Sequence, residues 1–320
     1  MNVTNFPSGV SSMGVQLPSS GIPSTYGRYI FVDADNGNDG NDGRTLGTAV
    51  ATIAQAYSLA TTNKDDVIVL STNAVHTLTA MLDLSKNRVH FVSLDTFGRR
   101  YGQRAKVYMG VTTAVTDVFV VKNTGVGNTF TGIKFYSDNT SAYCVATVGE
   151  GGEYAVYNNC EFYNSTLLNS NTRAEMALNG DSAQFYNCTL GSLADAVVGN
   201  VVRPAILLTA STVGTGLVSR DVLFDNCRFW KQAGGTGTSM IKGGTNDIER
   251  IMEFHDCQFV ANPLGSAPAV AIALGTQAVG MVILTGDTCA TGCTKIATAT
   301  GVFNATPARV ATATIGIQAT

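Results

Sequence analysis

Oxygen-bearing side chains crowd into one short segment, Ala34–Gly43 (ADNGNDGNDG), where a hard cation such as Ca²⁺ would find ligands. The EF-hand spacing is not met, because Gly37 stands where an oxygen ligand is required and no Glu follows at the twelfth place. Asp-Gly and Asn-Gly pairs are turn formers. We therefore predict a structural turn here, assign no metal or cofactor, and leave calcium binding as the alternative.

Acid–base chemistry would need carboxylates that the fold brings together. Asp221 and Asp225, with Arg220 and Arg228, surround the segment Val222–Phe229. Glycoside hydrolysis uses two carboxylates roughly 5–10 Å apart. The equivalent positions of the related segments described below carry no dense carboxylate cluster. These residues are therefore the nearest approach to an acid–base site in the sequence, and they do not complete one.

Two further acids, Glu150 and Glu153, flank a Gly-Gly pair and are interpreted as an exposed loop. The histidines are scattered, with no Ser or Cys nucleophile motif beside them: His76, His90 and His255. We accordingly assign no catalytic residue and predict that the chain is not an enzyme.

Three residues could contact a sugar. Tyr163 and Trp230 follow strand-like segments at outward or loop-edge positions, where their rings could stack on sugar rings, and Arg228 lies two places before the tryptophan. The alternative is that these rings cover a corner of the fold as packing residues. We predict them as possible glycan contacts.

The seven cysteines give little sign of redox or metal chemistry. Seven is an odd number, and a chain secreted into oxidising surroundings would seldom carry so many unpaired thiols. Cys289 and Cys293 (CATGC) could pair or bind a metal, but no second ligand pair supports this. Synthesis in a reducing cytosol fits the composition better.

Most of the cysteines belong to a repeated pattern that predicts a bend. The copies are Asn128–Phe135 (NTFTGIKF), Ala155–Phe162 (AVYNNCEF), Ala183–Leu190 (AQFYNCTL), Val222–Phe229 (VLFDNCRF) and Met252–Phe259 (MEFHDCQF). An aromatic residue stands three places before the Cys or Ile. Because strand side chains alternate with period two, both can point inward only if the backbone turns between them. The residues at the turn are types that tolerate the left-handed conformation: Gly132, Asn159, Asn187, Asn226 and Asp256.

The spacing of the copies predicts a solenoid. The inward Cys or Ile positions are separated by 27, 28, 39 and 30 residues. They would stack about 4.8 Å apart as a core ladder, in which a free Cys acts as a small buried hydrophobe; the ladder is Ile133, Cys160, Cys188, Cys227 and Cys257. A weaker copy, Val89–Leu94, places Ser93 at the bend and Leu94 inward. Propeller blades are the competing all-β fold, but they need about 40 or more residues each.

Short strands with one Asn-bearing bend per coil resemble the right-handed parallel β-helix of the pectin-lyase-like superfamily, including bacteriophage decoration and spike proteins. The resemblance covers roughly residues 28–290, beginning with Tyr29–Asp33 (YIFVD). It implies an all-β, single-domain solenoid. Helical spacing of apolar residues in Val50–Ala60 predicts a short capping helix near residues 48–60, which would cover the open end of the solenoid. The family's catalytic residues cannot be carried over to this sequence.

The two ends of the chain differ from the middle. Residues 1–27 hold no charged residue but scatter apolar side chains, which predicts an extended docking arm; the anchors are Val3, Phe6, Val10, Val15, Leu17, Ile22 and Tyr26. Residues 291–320 are Ala/Thr-rich and are predicted to form a C-terminal strand or arm. Both ends favour an assembly, because exposed apolar surface of this size usually marks an interface.

The composition of the chain limits the classes of partner that it could bind. A net charge of −3 without a basic stripe argues against nucleic acid, and no apolar run long enough to span a membrane occurs. The N-terminus lacks the features of a signal peptide. We predict a structural virion protein of a bacteriophage, on the particle surface and preferably the capsid. It would be attached to the major capsid protein or another virion protein by its arm, self-associate as a trimer, and contact host polysaccharide. The alternatives are a carbohydrate-active tailspike depolymerase or polysaccharide lyase, and a bacterial adhesin.

Overall fold

The chain winds through three parallel β-sheets in a fixed order, one strand of each sheet per coil. The computed structural model describes residues 11–12, 15–16, 25–94, 104–110, 116, 118–138, 143–164, 172–193, 203–208, 213, 218–232, 239–262, 270–277, 279–293, 295–297 and 302–304. Within these ranges the three sheets hold ten, eight and eight strands, and every neighbour in them is parallel. The predicted all-β parallel β-helix is confirmed.

Sheet 1 consists of β3 (Tyr29–Val32), β4 (Asp66–Leu70), β7 (Val89–Ser93), β10 (Thr129–Thr131), β13 (Val156–Asn158), β16 (Gln184–Tyr186), β19 (Val222–Asp225), β22 (Ile251–His255), β25 (Met281–Thr285) and β28 (Val302–Asn304). Sheet 2 consists of β5 (Val75–Leu78), β8 (Ala105–Met109), β11 (Ile133–Ser137), β14 (Glu161–Asn164), β17 (Thr189–Ser192), β20 (Arg228–Gln232), β23 (Gln258–Asn262) and β26 (Cys289–Thr291). Sheet 3 consists of β6 (Leu82–Leu84), β9 (Phe119–Asn123), β12 (Ala146–Glu150), β15 (Ala174–Leu178), β18 (Ile206–Leu208), β21 (Ile241–Lys242), β24 (Val270–Ala273) and β27 (Lys295–Ala297). A separate antiparallel pair joins β1 (Ser11–Ser12) to β2 (Val15–Gln16).

The bend between sheets 1 and 2 has the predicted left-handed backbone. Asn159, Asn187 and Asn226 have φ values of 52°, 53° and 51°, and Asp256 has 50°. Gly132 adopts the same region at φ 68°. The prediction of a bend at Ser93 in the weaker copy is wrong. Ser93 has no positive φ and lies inside β7, where its Oγ accepts a hydrogen bond from the Ala105 amide. Leu94 is half-buried against the outward residues of sheet 1 rather than in the main core.

Replacement of Asn187 by Val is expected to lower the melting temperature. A β-branched residue at φ 53° is strained by about 1–2 kcal/mol, and the substitution also removes the 2.7 Å hydrogen bond from Asn226 Nδ2 to Asn187 Oδ1. Asn187→Gly is the matched control, because it keeps the left-handed backbone without a Cβ and loses only the hydrogen bond. Thermal unfolding measures both, and an unchanged midpoint in the Val variant would contradict the strained bend.

Stacked aromatic rings fill the core along sheet 1. Their ring centroids lie 4.6–5.2 Å apart from one coil to the next, with nearly parallel planes; the column is Phe91, Phe130, Tyr157, Phe185, Phe224 and Phe254. A second column on sheet 2 meets it edge-on, as in the contact between Phe229 and Phe224 at 5.5 Å. Offset-stacked and edge-on rings add to the free energy gained by burial alone.

The residues proposed as a core ladder all lie buried, each 0–1% exposed: Ile133, Cys160, Cys188, Cys227 and Cys257. The cysteines are free thiols, and each Sγ donates to the carbonyl of the aromatic residue in the preceding coil, at 3.3–3.4 Å. In the last such coil Thr288 takes this place, with its Oγ1 3.0 Å from the Phe254 carbonyl. The ladder therefore serves packing and hydrogen bonding together.

A short helix closes the first coil, as predicted. The helix α1 spans Ile53–Leu59, with Thr52 as N-cap, and buries Ile53, Ala56 and Tyr57 against the core. A 3₁₀ turn, Leu46–Thr48, precedes it. Lys86 satisfies the C-terminal end by donating from Nζ to the carbonyls of Tyr57 and Ala60 at 2.5 and 2.7 Å. This helix shields sheet ends that would otherwise be open.

The two ends of the chain lie largely outside the described residues. Among the predicted arm anchors only the side chain of Tyr26 is described, and it is fully exposed; β2 gives the backbone alone of Val15. Parallel pairing continues beyond residue 290, the boundary expected from the sequence, as far as Asn304. Residues 305–320 lie outside the described part of the chain.

Candidate functional site

The outward surface of sheet 2 carries a row of aromatic side chains. Tyr108 of β8 is the register partner of Tyr136 in β11, which is in turn the partner of Tyr163 in β14. Trp230 of β20 continues the row beyond Gly191 of β17. All four rings are half-buried, and those of Tyr108 and Tyr136 are 4.7 Å apart. The row therefore lines up four partly exposed rings on the outward surface of sheet 2 over several coils.

A row of mainly cationic and polar side chains runs beside the rings, two residues earlier on each strand. In register order it is Lys106, Lys134, Glu161, Thr189, Arg228 and Gln258. Lys134 Nζ lies 5.9 and 5.7 Å from the ring centroids of Tyr136 and Tyr163, and the Arg228 guanidinium lies 5.9 Å from Trp230. We name these two rows together the ladder face. The charged and polar row runs from Lys106 to Gln258, and the aromatic row runs from Tyr108 to Trp230.

One carboxylate of the ladder face is held between two cations. Glu161 Oε1 lies 2.7 Å from Lys134 Nζ, and its Oε2 lies 3.1 Å from Arg104 NH1. The Arg104 guanidinium is fixed further by the carbonyl and side-chain oxygens of Asn159, at 2.9 and 2.8 Å. Two cations and one anion leave this cluster with a net positive charge.

A phenol–carboxylate pair marks one end of the ladder face. The Tyr108 hydroxyl donates to Asp138 Oδ1 at 2.6 Å. This hydrogen bond, with a smaller contribution from burial, raises the pKa of Tyr108 to about 12. Tyr108 therefore keeps its proton at neutral pH, and Asp138 fixes the direction of its hydroxyl. The phenol oxygen, with its proton directed to Asp138, is left to accept a hydrogen bond from a bound molecule.

The predicted glycan contacts Tyr163, Trp230 and Arg228 come together on the ladder face. Sequence reasoning missed Tyr108, Tyr136 and Lys106 as members of the same surface, although a signal was present. In several copies of the repeat, an aromatic residue stands three places after the buried Cys or Ile of the core ladder, as Tyr136 does after Ile133. Repetition at that offset, rather than any single ring, identifies the surface.

The acids and bases singled out near Val222–Phe229 are dispersed by the fold. Asp221 pairs with Arg250, and Arg220 is 2.9 Å from Glu249 and 3.5 Å from Asp181. Asp225 lies on the outward surface of sheet 1 beside His255, its register partner. These residues belong to different edges and surfaces, so the structure does not assemble them into one site.

The side chains of His255 and His76 lie within hydrogen-bond distance of neighbouring residues in the fold. His255 Nδ1 lies 2.9 Å from Thr285 Oγ1, and Thr285 donates to Glu253 at 2.8 Å. His76 is buried in the first coil with its Nε2 2.8 Å from the Ser71 carbonyl, and burial lowers its pKa. Neither histidine lies on the ladder face.

The interpretation of Glu150 as a residue of an exposed loop is wrong. The residue is fully buried, because the alternation of β12 turns it inward beside Asn123. Its carboxylate accepts hydrogen bonds from Asn123 Nδ2, the Gly152 amide and the Tyr157 hydroxyl, at 2.9, 2.7 and 2.5 Å. Burial raises its pKa to about 7, against the lowering by these hydrogen bonds.

Carboxylates of the Asp/Asn/Gly segment, and that of Asp33 just before it, accept hydrogen bonds from backbone amides. Asp33 Oδ1 accepts from the amides of Asp35 and Asn36, and Asp39 Oδ1 accepts from those of Ala51 and Thr52. Across the described ranges, no group of three or more His, Cys, Asp or Glu side chains could hold a metal ion. No helix in the described part of the chain is long and apolar enough to cross a bilayer.

Comparison with known proteins places the fold. Neither a protein-family model nor a curated protein sequence matches the chain. Among solved structures, the pectate lyase Pel9A matches with a TM-score of 0.58 and 14% identity, over 83% of this chain and 63% of that one. A pectin methylesterase from Aspergillus niger matches with a TM-score of 0.55 and 12% identity, over 90% and 88%. The pectin methylesterase PemA from Erwinia chrysanthemi matches at 0.51 and 12%, over 88% and 81%.

These comparisons bear on two predictions, that the chain is not an enzyme and that it folds as a parallel β-helix. The prediction that the chain is not an enzyme is contradicted, because the solved structures that it resembles are a lyase and esterases. The chain spans about 63% of the length of the pectate lyase. At identities of 12–14% the likeness concerns the fold. The chain therefore has the parallel β-helix fold of the pectin-lyase-like proteins.

Proposed function

We propose that the chain is a carbohydrate-active protein that binds and depolymerises an acidic polysaccharide along its ladder face. The observation that carries this proposal is the pairing of two rows in register, one of rings and one in which three of the six side chains are cations. Aromatic faces pack on the apolar faces of sugar rings, while cations bind carboxylate groups. An extended chain of acidic sugars offers both features repeatedly along its length.

Tyr108 is assigned a positioning role on the same face. Its hydroxyl donates to Asp138 at 2.6 Å, which fixes the direction of the phenol and leaves its oxygen to accept a hydrogen bond from a sugar hydroxyl. The likeness to a pectate lyase and pectin methylesterases supports the same substrate class.

Purified protein should bind acidic polysaccharides and release shorter chains from at least one of them. We expect Tyr136→Ala to weaken binding about tenfold, because it removes the ring that contacts Tyr108 and Lys134. Tyr186→Ala is the matched control, since Tyr186 is also half-buried and outward but belongs to sheet 1. Affinity electrophoresis and a reducing-end assay over a panel of polysaccharides measure both steps. Equal effects of the two substitutions would contradict the proposal.

A second proposal places the same protein on a bacteriophage particle, as a surface decoration, fibre or spike. All seven cysteines are free, including the exposed Cys289, which suits a chain folded in a reducing cytosol. The uncharged residues 1–27 would attach it to a capsid or other virion protein, and cyclic trimers are a common solution for such subunits. Density-gradient fractionation of a lysate with mass spectrometry tests this. Recovery in the soluble fraction alone would contradict it, and loss of particle attachment on deletion of residues 1–27 would support the arm.

A further inference from the structure

Lys134 lies in the second coil of the ladder face, and its ammonium group is already matched by a carboxylate of the protein. Glu161 Oε1 is 2.7 Å from Lys134 Nζ, and the two residues are register partners on adjacent strands. The Nζ atom also lies 5.9 and 5.7 Å from the ring centroids of Tyr136 and Tyr163. A carboxylate of the protein thus occupies the position where a substrate carboxylate would meet both a cation and two rings.

The two cations that share Glu161 are not equivalent. Arg104 is 6% exposed and donates to the Asn159 carbonyl, to its side-chain oxygen and to Glu161. Lys134 is 28% exposed, and its flexible stem lies at the solvent surface of the sheet. Arg104 therefore holds Glu161 from a buried position, while Lys134 is the partner that can turn to another anion. Solvent reaches both members of the half-buried Lys134–Glu161 pair, and this screening weakens the pair and allows it to exchange.

We propose that Lys134 is the subsite for a carboxylate of the bound polysaccharide, and that Glu161 occupies it in the free protein as an internal counter-ion. The inference rests on the proposed function and adds the group recognised and the residue that selects it. On binding, the ammonium of Lys134 moves from Glu161 to the uronate carboxylate, and Glu161 keeps its charge partner in Arg104. The free cluster carries one positive charge in excess, and the carboxylate of the sugar neutralises it, so the exchange requires no proton transfer.

The proposed exchange predicts that substitutions of Lys134 and of Glu161 change the affinity for an acidic chain in opposite directions. Lys134→Gln removes the cation and should weaken binding of an acidic chain about tenfold. Glu161→Gln removes the competing carboxylate, so the same chain should bind about threefold to tenfold more tightly. Neither substitution should change the affinity for an uncharged chain of the same sugars, because the rings of the ladder face are untouched. A role of Glu161 in folding alone would not produce tighter binding.

Calorimetric titration of the full-length protein tests this with polygalacturonate and its fully methyl-esterified form. Lys134→Arg is the matched control, since it keeps the charge, and melting curves verify that each variant is folded. Opposite shifts for polygalacturonate, and none for the ester, support the inference. Unchanged affinity of Lys134→Gln for polygalacturonate would overturn it while leaving the Tyr136 result, and so the proposed function, intact. If the panel identifies another uronate polymer as the ligand, that polymer and its ester replace polygalacturonate. Failure of the wild-type protein to bind any acidic polysaccharide of the panel would overturn the proposed function and this inference with it.

Discussion

Replacement of Phe224 by Ala is expected to lower the free energy of unfolding by about 3–5 kcal/mol. The ring is fully buried and stacks between Phe185 at 4.6 Å and Phe254 at 4.9 Å, with Phe229 edge-on at 5.5 Å. Removing it leaves a cavity in the middle of a continuous column, where coils on both sides limit collapse. Each coil is stabilised by its neighbours, so a central position should have the largest effect.

Chemical denaturation of wild type and variant measures this difference. Leu223→Ala is the matched control, because Leu223 precedes Phe224 on β19 but points outward and is half-buried. We expect its effect to be about 1 kcal/mol or less. A loss below about 1 kcal/mol for Phe224→Ala would contradict the inward aromatic column.

The stability of the wild-type protein is expected to fall by about 3 kcal/mol as pH rises from 5 to 8, through the ionisation of Glu150. Burial raises the pKa of this carboxyl from 4.5 to about 7 in the folded state. The folded state therefore holds a proton that the unfolded state releases above pH 4.5. The resulting stabilisation is fully present below the unfolded pKa and is lost as pH rises through about 7.

Glu150→Gln isolates this contribution. The amide cannot ionise but keeps an oxygen for the Asn123 and Gly152 donors, and the Tyr157 hydroxyl can accept from its nitrogen. The variant's free energy of unfolding, measured by denaturation at several pH values, should lack the decrease between pH 5 and 8. The same decrease in both proteins would assign it to other groups.

The sequence predicts the bend and the core because both depend on local spacing. The offset of three between Phe185 and Cys188 requires a turn between them, and Asn187 supplies the residue that adopts it. The same reasoning fails at Ser93, which has no positive φ, and Leu94 packs on the outward surface of sheet 1; eleven residues separate the end of β7 at Ser93 from the start of β8 at Ala105. Local spacing therefore determines the fold only where the turn itself is short.

The ladder face depends on contacts that local spacing does not contain. Arg104 reaches Asn159 and Glu161 from a position more than fifty residues away in sequence, and the link depends on how many residues each intervening coil holds. Glu150 was misassigned for a related reason: its neighbouring glycines suggested a loop, whereas the register of β12 with β9 turns it inward. Side chains that meet between coils emerge only once the strand register is known.

A crystal structure of the protein with an acidic oligosaccharide tests the central proposal most directly. We predict that the sugar chain lies on the outward surface of sheet 2, against the rings of Tyr108, Tyr136 and Tyr163, with one carboxylate beside Lys134. A sugar chain bound on the outward surface of sheet 1 or sheet 3, with the ladder face empty, would contradict the assignment of this surface to substrate binding.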